Sequence, residues 1–125
     1  MRPMKTALLV DDARTVRRIC RSIVEALGFA VHEAENGQEA LDVVRAHPEI
    51  ELILLDWNMP LMDGLTFLRT LRGEPLPAQP RVVMCTTEAE FTAIATAIQA
   101  GADEYIMKPF TEEIVREKVA AVVNL

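Results

Sequence analysis

The chain has 125 residues, of which 50% are apolar and 26% charged, a balance typical of one soluble globular domain. Its net charge of −6 argues against broad nucleic-acid binding. No apolar run approaches the roughly 18 residues of a membrane span, and no signal-peptide core follows the N-terminus. We therefore expect a cytoplasmic protein without membrane insertion, with Cys20 and Cys85 reduced in its core.

Predicted strands and helices alternate from the N-terminus onward. Residues 5–10 predict a buried strand, and apolar residues at three- and four-residue steps over 16–27 predict a helix with Gly28 as its C-cap. A weaker strand follows over 29–33. The Asn36-Gly37 pair then opens a helix that runs to residue 46.

The second half of the chain continues this alternation. A strand without polar alternation is predicted over residues 52–55, as expected when both faces are covered. The remaining predicted elements are a helix over 65–71, a strand over 81–84, a helix over 88–100 ended by Gly101, a strand over 104–107, and a last helix capped by Thr111. Such alternation predicts a parallel sheet, whose ligands bind beyond the carboxyl ends of its strands.

Polar side chains follow four of the five predicted strands: Asp11 and Asp12 the first, Asp56 the third, Thr86 and Thr87 the fourth, and Lys108 the fifth. Taken singly, Asp12 or Thr86 could cap a helix, and Lys108 could be a surface lysine. Asp56 is harder to explain in this way, because burying an unpaired carboxylate is costly. Clustered carboxylates suit Mg²⁺.

Zinc is not favoured at this edge, since His32 and His47 lie elsewhere in the pattern and are expected at the surface. A carboxylate beside Mg²⁺ can attack phosphorus and form an acyl phosphate. Lys108 and Thr86 could then donate to the charged phosphoryl oxygens. The backbone carbonyl of Asn58 could be a further metal ligand.

Several short motifs occur together in one order: Asp11-Asp12, Asn36-Gly37-Gln38-Glu39-Ala40-Leu41, Asp56-Trp57-Asn58-Met59-Pro60 with Met62-Asp63-Gly64, Thr86, Gly101-Ala102-Asp103 and Lys108-Pro109-Phe110. In this order the chain resembles the receiver domain of bacterial response regulators, especially the single-domain chemotaxis type. The resemblance implies a flavodoxin-like (βα)5 fold, a doubly wound five-stranded parallel sheet of order 2-1-3-4-5. It also implies one receiver domain over residues 1–125, with no output domain.

For function, the resemblance implies a phosphoprotein of a two-component system. Asp56 would accept a phosphoryl group from a histidine kinase, and the group would be gripped by Thr86 and Lys108. Mg²⁺ or Mn²⁺ would be held by Asp11, Asp12, Asp56 and the carbonyl of Asn58. The Lys108-Pro109 bond would be cis. We expect the chain to catalyse only its own phosphorylation and dephosphorylation, and in that sense not to be an enzyme.

The family also implies a switch. Phosphorylation would draw Thr86 inward and let Tyr105 turn from an exposed to a buried position. This would change the face formed by helix four, strand five and helix five, which a partner such as a flagellar motor switch would recognise. The protein would act as a monomer and would not bind DNA. A phosphatase is a further expected partner.

Two features concern the lifetime of the phosphoryl group. Asn58 and Glu88 occupy the variable positions that tune this lifetime in the family, and their types favour a short-lived signal. Where the family commonly has Ala or Gly, this chain has Thr87. Its branched side chain could narrow access for the phosphodonor or for water, or it could point away from the site.

Other functions share parts of this pattern. A flavodoxin would have a loop rich in Ser, Thr and Gly after the first strand, and a dinucleotide-binding domain would have Gly-x-Gly-x-x-Gly there. A Mg²⁺-dependent aspartyl-phosphate phosphatase would have an acid where Asn58 stands. Within the receiver family, a phosphorelay intermediate or a phosphate sink is the alternative. A basic stripe on helix one is either a solvated face or a docking site for a kinase or phosphatase; it comprises Arg14, Arg17, Arg18 and Arg21.

Overall fold

The computed structural model describes residues 5–87 and 92–125, in which strands and helices alternate. The strands are β1 (Lys5–Val10), β2 (Phe29–Ala34), β3 (Ile50–Asp56), β4 (Arg81–Thr86) and β5 (Glu104–Met107), and the helices are α1 (Arg14–Ala26), α2 (Gly37–Ala46), α3 (Gly64–Arg72), α4 (Ile94–Ala100) and α5 (Glu112–Val122). Each predicted element is present, although residues 88–91 of the fourth predicted helix lie outside the described ranges. Among the described residues, no helix has the length and apolar character needed to cross a membrane.

The strands form one parallel sheet in the order β2-β1-β3-β4-β5, which confirms the predicted flavodoxin-like fold. Val10, the last residue of β1, lies in register between Ala34 of β2 and Leu55 of β3. These three strands therefore end at the same level. The residues that follow them meet at one edge, which we call the carboxyl edge of the sheet.

Both faces of the sheet are covered by helices. One core packs α2, α3 and α4 on one face, with Phe67, Leu68 and Leu71 among its fully buried side chains. The other core packs α1 and α5 on the opposite face. Because each central strand contributes to both cores, β3 is apolar and buried from Leu52 to Leu55, and its one buried carboxylate is the last residue, Asp56.

Caps define most of the helix starts. Asn36 and Thr111 accept hydrogen bonds from Glu39 N and Ile114 N, as expected for N-caps. The N-cap of α1, in contrast, is Ala13, with no side-chain cap bond. Asp12 therefore does not cap α1, and the simpler explanation of that residue is wrong. At the other end of α1 the C-cap is Leu27, followed by Gly28 at φ 100°.

The opposite, amino edge of the sheet holds a closed ionic network around Asp103. Its carboxylate accepts from Arg72 Nη2 at 3.1 Å, Arg81 Nη1 at 3.3 Å and the Val82 amide at 2.8 Å. Arg72 also donates through Nε and Nη2 to the Gly101 carbonyl, at 3.1 and 2.7 Å. Gly101 has φ 117°, a conformation that side chains disfavour, and so permits this turn after α4. The network ties α3, α4 and β4 together.

Three expectations about single side chains have different outcomes. Cys20 and Cys85 are buried and free, as predicted, and burial raises the pKa of the Cys20 thiol to about 11. His32 and His47 were expected at the surface but are half-buried, with their rings stacked. The arginines of α1 are not one solvated stripe, because Arg17 is only 7% exposed.

Candidate functional site

Three aspartates converge at the carboxyl edge. Asp56 is the last residue of β3, and Asp11 and Asp12 directly follow β1. A carboxylate oxygen from each of the three lies within 4.8 Å of the other two. Asp11 and Asp56 are buried, at 6% and 7% exposure, whereas Asp12 is exposed. We call these three residues the aspartate cluster; it is the grouping that the strand ends predict.

Lys108 reaches the aspartate cluster from the end of β5. Its Nζ lies 2.8 Å from Asp56 Oδ1 and 3.2 Å from Asp11 Oδ2. The Lys108 amide donates to the carbonyl of Thr86 at 2.7 Å, and the Lys108-Pro109 bond is cis. The backbone beyond β5 is thus fixed to the end of β4. Lys108 is therefore not a free surface lysine.

The charges of the cluster do not balance within these four residues. Three carboxylates and one ammonium give a formal charge of −2. Burial raises the pKa of Asp56, an effect opposed by Lys108 and increased by the negative charge of Asp11. For Lys108, burial alone would lower the pKa, but the hydrogen bond to Asp56 and the charge of Asp11 raise it above its usual range. A divalent cation has the charge that would balance this cluster.

Arg17 supports the cluster from α1, a role that the sequence did not indicate. Its Nη1 donates to the backbone carbonyl of Asp11 at 2.7 Å, and its Nε donates to Glu33 Oε1 at 2.9 Å. Arg21, one turn later, pairs with the other oxygen of Glu33 at 2.7 Å. The Asp11 carboxylate itself accepts from the Ala13 amide at 2.8 Å. Arg17 thereby links the β1–α1 turn to β2.

The loop after β3 is held close to Asp56. The Trp57 amide donates to Asp56 Oδ1 at 2.9 Å, and the Gly64 amide donates to the Trp57 carbonyl at 2.9 Å. A Cβ at Gly64 would lie 2.2 Å from the Asp56 carbonyl oxygen, so only glycine allows this approach. Asp63 caps α3 through the Thr66 amide. These contacts hold the loop after β3 close to the backbone of Asp56.

Asn58 lies in this loop and is exposed. It stands two residues beyond Asp56, and the use of its carbonyl as a metal ligand stays a prediction. Leu61, also in the loop, is 88% exposed at φ 68°. A left-handed conformation costs a residue with a Cβ about 1 kcal/mol or more. The loop after β3 thus keeps a strained, exposed apolar residue.

The predicted switch residues lie on β4 and β5. Thr86 is fully buried, and its hydroxyl donates to the Thr87 carbonyl at 2.8 Å. The N-cap of α4, as described, is Ala93 and not Thr86. Thr87 is exposed. Tyr105 is half-buried and packs against the core under α2, α3 and α4, with Lys118 Nζ 5.0 Å from its ring centroid. Glu88 lies outside the described residues.

The donor set fits a hard divalent cation. Three carboxylates offer oxygen ligands at the aspartate cluster, and the side chains of this group include neither imidazole nor thiolate. Mg²⁺ is typically bound by one or two carboxylates and keeps several waters, which requires an open side. Because Asp12 is exposed, the aspartate cluster is open to solvent on its side. The arrangement defines a class of protein: a parallel α/β domain with clustered carboxylates at its strand ends, two of them buried.

Comparison with known proteins gives the family. Residues 7–120 match the response regulator receiver domain, and the chain belongs to this family. It is 38% identical over 118 residues to a chemotaxis protein CheY homolog of Campylobacter jejuni, covering 94% of this chain and 91% of that protein. Membership decides against the flavodoxin and dinucleotide-binding alternatives. It supports phosphorylation-dependent signalling of the CheY type.

Two solved structures extend this comparison. One is a CheX-CheY-BeF3-Mg²⁺ complex from Borrelia burgdorferi, 28% identical, with a TM-score of 0.86 over 94% of this chain and 87% of that one. The other is a probable two-component system response regulator/GGDEF domain protein, 30% identical, with a TM-score of 0.86 over 93% of this chain. The chain spans 48% of that second protein. The receiver fold therefore occurs both in proteins of this length and in longer ones.

Proposed function

We propose that this chain is a phosphorylation-activated switch in which Asp56 accepts a phosphoryl group from a histidine kinase. The observation that carries the proposal is the position of Asp56. It is the last residue of β3, and Asp11, Asp12 and Lys108 lie around it at the distances given above. The rigid loop behind it holds the carboxylate in place. In members of this family, a site of this composition is suited to the transfer of a phosphoryl group to a carboxylate.

In the proposed reaction an Asp56 carboxylate oxygen attacks the phosphorus of a phosphohistidine. A P–O bond forms as the P–N bond breaks, and the electron pair returns to the imidazole of the kinase. The aspartate cluster and the Asn58 carbonyl would hold Mg²⁺ or Mn²⁺, which would supply positive charge for the transfer. The chain catalyses only this transfer and the later hydrolysis of its own acyl phosphate.

Lys108 and Thr86 would change partners during this step. Lys108 now bonds Asp56 and Asp11, and it would move its ammonium onto the new phosphoryl oxygens. The Thr86 hydroxyl now donates to the Thr87 carbonyl and would rotate to donate to the phosphoryl group. The phosphoryl group thereby favours one position of Thr86, as a ligand must if it is to shift a two-state equilibrium.

The proposed output face consists of α4, β5 and α5. Tyr105 of β5 stands three residues before Lys108, is half-buried, and lies beneath Lys118 of α5. Movement of Thr86 would make room for the Tyr105 ring and so change this face. A flagellar motor switch is the kind of target that CheY-type relatives suggest, and a phosphatase is a further partner. The alternative is a phosphorelay intermediate or sink, in which this face has no target.

Phosphorylation with acetyl phosphate and Mg²⁺, followed by mass spectrometry, tests the acceptor. We expect one phosphoryl group on Asp56 and none on the Asp56→Asn protein. Asp63→Asn is the matched control, because it makes the same change in the same loop and Asn still caps α3. Full labelling of Asp56→Asn would overturn the proposal. Steady turnover of a phosphomonoester would instead indicate a phosphatase.

The switch is tested separately with beryllofluoride, a phosphoryl mimic. Tyr105→Ala should bind beryllofluoride as the wild type does, because Tyr105 is not part of the aspartate cluster. In NMR spectra, however, the chemical-shift changes on α4 and α5 should be largely lost. If these changes persist in full, Tyr105 is ordinary packing and the signal leaves by another route.

A further inference from the structure

Two histidines and a glutamate form a second group of side chains of the types that bind metal ions, away from the carboxyl edge of the sheet. His32 lies in β2, His47 is the C-cap residue of α2, and Glu49 immediately precedes β3. One ligand atom from each of the three lies within 4.8 Å of the other two. Because α2 runs opposite to the strands, its C-terminus is at the other end of the sheet from Asp56. This group is therefore separate from the aspartate cluster.

The geometry of the two imidazoles is specific. Their ring centroids are 4.1 Å apart with an interplanar angle of 24°, so the two rings are stacked. His47 Nδ1 is 3.3 Å from Glu49 Oε2. If this nitrogen carries the proton, Nε2 of His47 is the nitrogen with the lone pair. A carboxylate behind a metal-binding histidine commonly fixes the tautomer in this way.

We propose that His32 and His47 bind a borderline divalent transition-metal ion, Zn²⁺ or Cu²⁺, with Glu49 as a third ligand or as the hydrogen-bond acceptor of His47. Imidazole nitrogen selects these ions, whereas carboxylate oxygen selects Mg²⁺. The two groups therefore differ in the ion they prefer as well as in position. An ion here would join β2, the end of α2 and the start of β3.

To close around an ion, the two stacked rings would have to turn as well as approach each other, because an imidazole nitrogen binds a metal ion in the plane of its ring. Two nitrogens bound at 2.0–2.1 Å to a tetrahedral ion lie about 3.4 Å apart, so donor atoms now within 4.8 Å would approach by about 1.4 Å at most. The three side chains are half-buried or exposed; those of His47 and Glu49 are 40% and 56% exposed. Rotation about their χ2 torsions is therefore open to them, and solvent gives an ion a path of entry.

The experiment uses the full, tag-free chain in saturating Mg²⁺, so that the aspartate cluster is already occupied. Zn²⁺ is titrated by calorimetry, and the histidine ring resonances are followed by NMR. The chain has only these two histidines, so all histidine ring signals come from them, and the single variants below tell the two apart. We expect one Zn²⁺ per chain, with both rings shifting together.

Variants separate the proposed site from other sources of binding. His32→Gln and His47→Gln should each weaken Zn²⁺ binding by about tenfold or more. Asp12→Asn, a change in the aspartate cluster, should leave it unaltered. Circular dichroism without metal shows whether each variant is folded. Equal binding by wild type and the double variant His32→Gln/His47→Gln would overturn the proposal. So would the absence of stoichiometric binding by the wild type, and the histidines would then be a ring stack only.

Discussion

The two edges of the sheet hold carboxylates in opposite electrostatic situations. At the amino edge Asp103 receives two arginines and a backbone amide, so its charge is matched within the chain. At the carboxyl edge Asp11 and Asp56 share the ammonium of Lys108, and Asp12 adds a third carboxylate beside them. We expect the first arrangement to stabilise the fold. The second leaves a formal charge of −2, which a divalent cation would balance.

The largest expected effect concerns the carboxyl edge, which we call the unmatched edge because its aspartates outnumber its cations; the amino edge around Asp103 is the matched edge. Replacing Asp11 and Asp12 together by Asn should weaken Mg²⁺ binding by about 100-fold, ~2.7 kcal/mol, since it removes two of the three carboxylates. Trp57 is the only tryptophan and its amide bonds Asp56, so its fluorescence can report the titration. Asp42→Asn, an exposed change on α2, is the control. Unaltered affinity in the double variant would remove the aspartate cluster as the cation site.

The matched edge should respond in stability. Asp103→Asn breaks the pairs with Arg72 and Arg81, and we expect it to lower the free energy of unfolding by about 1.5 kcal/mol. Urea unfolding measures this, with Asp42→Asn expected within about 0.5 kcal/mol of wild type. Mg²⁺ affinity should not change. A variant as stable as wild type would show that this network contributes little.

We predict that Arg17 holds the backbone of Asp11, and with it the aspartate cluster, in position. Arg17→Gln removes its bonds to the Asp11 carbonyl and Glu33, and we expect a loss of about 1 kcal/mol in stability and a several-fold loss in Mg²⁺ affinity. Arg18→Gln, on the exposed side of the same helix, should change neither. If Arg17→Gln lowers stability but leaves Mg²⁺ affinity intact, Arg17 supports the fold and does not position the cluster.

Much of the fold was predictable because the strands are short and the three central ones, β1, β3 and β4, are largely apolar on both faces. Continuous apolar runs located these three strands, although β3 extends from Ile50 to Asp56 and not only over 52–55. Pairing with β1, which shifts register between Thr6 and Ala7, adds residues at its start. Such extensions depend on the neighbouring strand. They are therefore absent from the local pattern of hydrophobic residues.

The grouping of the site was predictable for a topological reason, since parallel strands end at one edge. The sequence could not show that Arg17 is buried, because Arg17 belongs to the same run of arginines along α1 as Arg14 and Arg18, which are exposed. Its partners, Glu33 and the Asp11 carbonyl, are brought to it only by the pairing of β1 with β2. The same holds for His32 and His47, which are 15 positions apart and meet only through packing of α2 on the sheet.

The most direct test of the difference between the two edges is whether Asp12→Asn raises or lowers the free energy of unfolding of the metal-free protein. Asp12→Asn removes a negative charge from the unmatched edge, so without metal it should leave the protein at least as stable as wild type, whereas Asp103→Asn should destabilise it. Unfolding free energies are measured with chelator and with saturating Mg²⁺. Mg²⁺ should stabilise wild type and Asp103→Asn alike, and Asp12→Asn distinctly less. Loss of stability in metal-free Asp12→Asn, with a full gain from Mg²⁺, would contradict the account.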